Sequence, residues 1–126
     1  EASLRMVLNF GHTVGHAVET LTRYRAYNHG EAVSIGMVAA GRIAEKLHLI
    51  SREAVERIVD LLDKVGLPTE IKGIPADEII NALMVDKKVK GGKVRFVLPE
   101  KIGRVVIKEN VPAKAIKEAL KEIGAR

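Results

Sequence analysis

The feature that most constrains this chain is a change in hydrophobic period. From Ser3 to Asp86, apolar residues recur at helical spacing in blocks separated by turn signals. VRFVLP and GRVVIK then break the pattern, because both are short, β-branched and joined by a turn-like stretch. Helical spacing returns from Pro112 to about Ile123. The first helix is expected over Ser3–Tyr24, followed by a connector, RYRAYN. The second is expected from His29 to about Leu47, with Asn28 and Glu31 spaced as N-cap and N3 of a capping box. The third opens at Ser51 and stops at Gly66 and Pro68. The fourth is PADEIINALMVD, from Pro75. A hairpin is expected near residues 93–108. Residues 1–126 thus read as one mainly helical domain with a small β-hairpin.

Composition narrows what such a domain can do. At 126 residues it can bury a core without staples. No apolar run approaches the roughly 20 residues needed to cross a bilayer, and the first residues carry no signal-peptide pattern. A cytoplasmic protein is expected. Cysteine is absent, so any metal must be held by His, Asp or Glu. Glutamine and tryptophan are absent as well, and Lys, Glu, Ile and Val are abundant, a balance that leans towards a thermophile. The net charge of +5 suits an anionic small substrate. The basic residues form no dense block with interleaved aromatics, so nucleic acid is not an expected partner. The chain opens on Glu rather than Met, as a truncated or excised domain would.

Three of the four histidines fall in two phrases, NFGHTVGHAVE and NHGEAVSIGM. On a helix turning about 100° per residue, Arg5, Asn9, His12 and His16 fall in one stripe roughly 60° wide. Glu1 and Glu19 lie at its edge. Met6, Val7, Phe10, Val14, Ala17, Val18 and Leu21 form the opposite face, and Gly11 and Gly15 flank it, leaving room for another helix. A solvated face favours Lys and Glu. Arg, Asn, His and His instead suit anions, hydroxyls and metals. The pair His12 and His16 resembles a HExxH helix, but Thr13 stands where that motif needs its Glu, which excludes it.

His29 opens the second helix, where the positive end of the dipole favours neutral imidazole, the metal-ligating form. A zinc site commonly takes three protein ligands and an open position. His12 and His29 could supply two. His16, Glu19, Glu31 or a ligand from outside the chain could supply another.

Together, Glu1 with LRMVLNFGHTVGHAVE, HGEAVSIGM, and DKK with KVRFVLPEKIG closely resemble the C-terminal domain of the 3-dehydroquinate synthases. The resemblance covers essentially the whole chain. It implies a dehydroquinate synthase-like helical fold and an enzyme that converts 3-deoxy-D-arabino-heptulosonate 7-phosphate into 3-dehydroquinate and phosphate, with NAD and zinc or cobalt, in the shikimate pathway. It implies that His12 and His29 are metal ligands and that a third ligand, a Glu, lies upstream of Glu1. It implies substrate contact and proton transfer for His16, a second acid–base role for Glu1, substrate contacts for Arg5 and Asn9, and phosphate binding for Lys87, with Lys88 its surface neighbour. It also implies an N-terminal NAD-binding domain missing from this chain, a homodimeric enzyme, and no turnover from these residues alone. Two other readings compete. One is another sugar-phosphate cyclase or a metal-dependent polyol dehydrogenase. The other is a non-catalytic, metal-binding helical module.

Overall fold

The computed structural model describes residues 9–23, 25–89 and 92–126, with backbone only at 87–89. The helices are α1 (His12–Leu21), α2 (His29–Lys46), α3 (Arg52–Lys64), α4 (Ala76–Val89) and α5 (Ala113–Glu122). An antiparallel hairpin, β1 (Phe96–Lys101) and β2 (Arg104–Lys108), precedes α5. The expected mainly helical domain with one hairpin is what forms.

α2 is the central element and packs against α1, α3, α5 and β1. Its sequence explains why. Ala32, Ile35, Val38, Ala39, Ala40, Ile43 and Ala44 are all buried, together with Ser34, Gly36 and Gly41. A helix so small and apolar around most of its circumference belongs inside a core. Its start is fixed by a complete capping box: the Glu31 backbone N–H donates to Asn28 Oδ1 at 2.8 Å, and the Asn28 N–H donates to Glu31 Oε1 at 2.9 Å.

The helix expected over Ser3–Tyr24 is broken at Gly11, and its part before Asn9 lies outside the described residues. Gly11 sits at φ +86°, in the left-handed region, and α1 begins only at His12. A turn precedes it, in which the His12 N–H donates to the Asn9 carbonyl at 3.0 Å. The single stripe from Arg5 to His16 is therefore not one continuous helical face: Asn9 lies on the turn, and Ser3, Arg5 and Glu1 lie outside the described residues. The reason is specific to glycine. A Cβ at position 11 would lie 2.6 Å from the Val33 carbonyl oxygen, so neither the dihedral nor the space admits another residue. Gly15 and Gly36 line the same seam, and there the backbones of α1 and α2 touch.

α3 begins as expected, with Ser51 Oγ accepting from the Ala54 N–H at 3.1 Å. It turns Val55 and Leu62 inward. α4 runs past Asp86 to Val89 and so carries Lys87 on a helix that packs against α1. β1 buries Phe96, Val97 and Leu98 against the domain and pairs only with β2, an edge position that tolerates Pro99. The tail returns to the loop ahead of α4. The Ile71 N–H donates to the Ile123 carbonyl at 2.7 Å, Ala76 N–H to Arg126 O at 2.9 Å, and Arg126 N–H to Ile74 O at 3.1 Å. No described helix is long and apolar enough to cross a membrane.

Candidate metal centre

The site is built where two imidazoles converge across the packed pair α1 and α2. His12 is the first residue of α1 and His29 the first of α2. The glycine seam holds α1 close against α2, and the imidazole centroids lie 5.5 Å apart with the rings tilted by 60°. His12 is half-buried. Its Nδ1 is shut off from solvent and has no hydrogen-bond partner among the described residues. An unpaired buried ring nitrogen is costly and rare in a settled core. Beside a second imidazole it fits a cation that draws on both rings.

Glu19 is two turns along α1 from His12. It is 5% exposed, one of two buried polar residues among those described. Its Oε2 lies 3.0 Å from His29 Nδ1. Its Oε1 lies 4.0 Å from Nδ1 of His16, whose side chain is exposed. Glu19 is thus not a solvated edge residue, and with His12 and His29 it forms no three-residue metal-binding group among the described residues. The signal was in the sequence, since Glu19 shares its stripe with His12 and His16 and a short connector leads to His29. Its burial, however, depends on how α2 docks. Glu31 is committed to the capping box.

The structure thus brings His12, His29, Glu19 and His16 together, with Asn9 on the turn immediately before α1. Glu1 and Arg5 lie outside the described residues, and Lys87 is placed only by its backbone on α4. Among the described residues, no three His, Asp or Glu side chains form a metal-binding group. The rings of His12 and His29 face each other, and a centre of three protein ligands would need one more.

The solved structures that share this helical fold are sugar-phosphate cyclases, and they set its class. The chain superposes on 2-epi-5-epi-valiolone synthase from Streptomyces hygroscopicus, solved with NAD+ and Zn2+ bound, with a TM-score of 0.82 and 28% identity over 91% of this chain and 32% of that one. It superposes on 2-deoxy-scyllo-inosose synthase, complexed with carbaglucose-6-phosphate, NAD+ and Co2+, with a TM-score of 0.75 and 28% identity, over 93% of this chain and 33% of that one. Residues 1–89 match the 3-dehydroquinate synthase C-terminal family, and the chain belongs to that family. It is 55% identical over 121 residues to the 3-dehydroquinate synthase of Nostoc punctiforme, covering 95% of this chain and 33% of that protein. Against the Synechococcus enzyme it is 52% identical over 125 residues, covering 98% and 34%. The chain spans about a third of the length of these relatives.

Proposed function

We propose that this chain forms the metal- and substrate-binding wall of a 3-dehydroquinate synthase, which converts 3-deoxy-D-arabino-heptulosonate 7-phosphate into 3-dehydroquinate and phosphate. The observation that carries this reading is the His12–His29 pair with its unpaired buried nitrogen, in a chain of this family. His12 and His29 would hold zinc or cobalt, with a Glu upstream of this chain completing the ligand set. When bound, the metal supplies Lewis acidity at the substrate hydroxyls, and NAD supplies reversible oxidation of one of them.

The remaining roles belong to this chain's own side chains. His16, exposed one turn beyond His12, is free to exchange protons with bound substrate and water. Arg5 would take the substrate carboxylate, and Asn9 its hydroxyls. Lys87 would hold the phosphate as charge develops on the leaving group. Glu1 would serve as a second acid–base group. We assign NAD mainly to an N-terminal domain outside this chain, the working enzyme to a homodimer, and its setting to the cytoplasm of a thermophile. The length of the relatives supports the further domain, and the composition leans towards a thermophile.

The test is phosphate release from the heptulosonate phosphate with NAD and zinc. It compares this chain, the same chain joined to its upstream residues, and the joined form carrying His12→Ala. Activity in the joined wild type alone is the expected result. Family-like turnover by these 126 residues alone would overturn the half-site assignment. A second reading, another sugar-phosphate cyclase, is favoured by the overlap with 2-epi-5-epi-valiolone synthase. It predicts turnover of a different sugar phosphate when a substrate panel is run on the joined form.

A further inference from the structure

We propose that Glu19 is a positioning residue: it holds His29 with the ring proton on Nδ1 and so presents Nε2, as a free lone pair, to an ion shared with His12. The proposal rests on the reading of His12 and His29 as metal ligands.

Three observations carry it. First, Glu19 is 5% exposed, and a buried carboxylate is costly unless a donor meets it. Second, an ionised carboxylate only accepts hydrogen bonds, and its Oε2 stands 3.0 Å from His29 Nδ1, a hydrogen bond that an ionised Glu19 makes only with the proton on Nδ1. Third, the His29 side chain is 65% exposed, at the first residue of a helix, with little packing to fix its ring. Glu19 supplies the restraint that packing does not.

The consequence follows from imidazole chemistry. A free neutral imidazole prefers its proton on Nε2, which would block that nitrogen as a ligand. A carboxylate at Nδ1 reverses the preference, fixes the ring plane and raises the basicity of Nε2. Glu19 is suited to this because it is anchored on α1, the helix that also carries His12. The same element therefore holds one imidazole directly and aims the other. The longer 4.0 Å distance from Glu19 Oε1 to His16 Nδ1 leaves His16 free to move.

The test has two arms. Ring-nitrogen NMR on the 15N-histidine-labelled, metal-free chain reads the His29 tautomer. The expected result is a proton on Nδ1 in the wild type, lost in favour of Nε2 in Glu19→Gln and partly restored in Glu19→Asp. A wild-type His29 protonated on Nε2 overturns the proposal, and this reading stands even if Glu19→Gln does not fold. The second arm titrates cobalt by its visible absorption into the chain joined to its upstream residues. Glu19→Gln should weaken cobalt binding about 10–100-fold, with little change in melting temperature. A cobalt affinity within twofold of wild type in Glu19→Gln, with binding abolished by His12→Ala and His29→Ala, overturns the proposal. Cobalt binding that survives both histidine substitutions instead overturns the metal assignment, and with it the purpose proposed for Glu19.

Discussion

Gly36 on α2 lies with its α-carbon against the carbonyl of Gly11, so that a side chain at position 36 would overlap that oxygen. The contact is backbone to backbone, and it sets how closely α1, which carries His12, packs on α2, which carries His29. Gly36→Ala should destabilise the fold by about 1–3 kcal/mol, the usual cost of overpacking, despite alanine's better helix propensity. Urea unfolding measures this. The same variant should lose cobalt affinity in the joined chain, because the helices must part to admit the methyl group.

Asn28 accepts from the N–H of Glu31, and Glu31 accepts in return. Asn28→Ala should cost about 0.5–2 kcal/mol. Its local effect should fall on His29, the next residue. Hydrogen exchange at the first turn of α2 should quicken, while exchange at Ile43 stays near wild type.

Among the described residues, nothing pairs with the buried Nδ1 of His12. Leaving such a group unsatisfied costs about 1–3 kcal/mol. His12→Phe removes the orphaned atom and keeps a ring. Without metal it should be as stable as the wild type or more so by thermal melting. In the joined enzyme it should cut phosphate release by on the order of a hundredfold or more, the several kcal/mol expected of a lost metal ligand. A site kept for function at the expense of stability gives this opposed pair of results.

Glu109 accepts from Arg95 Nε at 2.9 Å and pairs with Lys93 at 3.5 Å, tying the segment before β1 to the residue after β2. The hydrogen bond from Arg95 outweighs the opposing effect of desolvation, and its carboxyl is held below the ordinary carboxylate value. A lowered folded-state value means that the stabilisation is present above the unfolded-state pKa and fades as pH falls through the folded one. Because Glu109 is exposed to solvent, the effect is small and screened by salt. Carboxyl NMR titration should show the Glu109 midpoint rising in Arg95→Ala.

Much of the fold was legible because its signals are local. The cap residues Asn28 and Ser51, the stop at Gly66 and the change of period before Phe96 each act within a few residues. The break at Gly11 was not legible. A glycine inside a helical pattern is read as small, and only the carbonyl of Val33 arriving from α2 makes it a turn. The histidines were visible by type and spacing. The burial of Glu19 against His29 was hidden because burial is a tertiary property, and a wheel of α1 alone places it at the margin of the polar stripe. Lys87 was marked by its motif, and the backbone now places it on a helix packed against α1.

The pairing of the tail with the loop ahead of α4 sets an order of events. Ala76 opens α4 by donating to Arg126, fifty residues later, and Ile71 donates to Ile123. As the chain leaves the ribosome, α1, α2 and α3 can dock from their own residues, but the start of α4 waits for the last of these residues to emerge. Such distant closure is slow compared with the helix steps before it. The first turn of α4, the helix that carries Lys87, is then secured only when the tail docks.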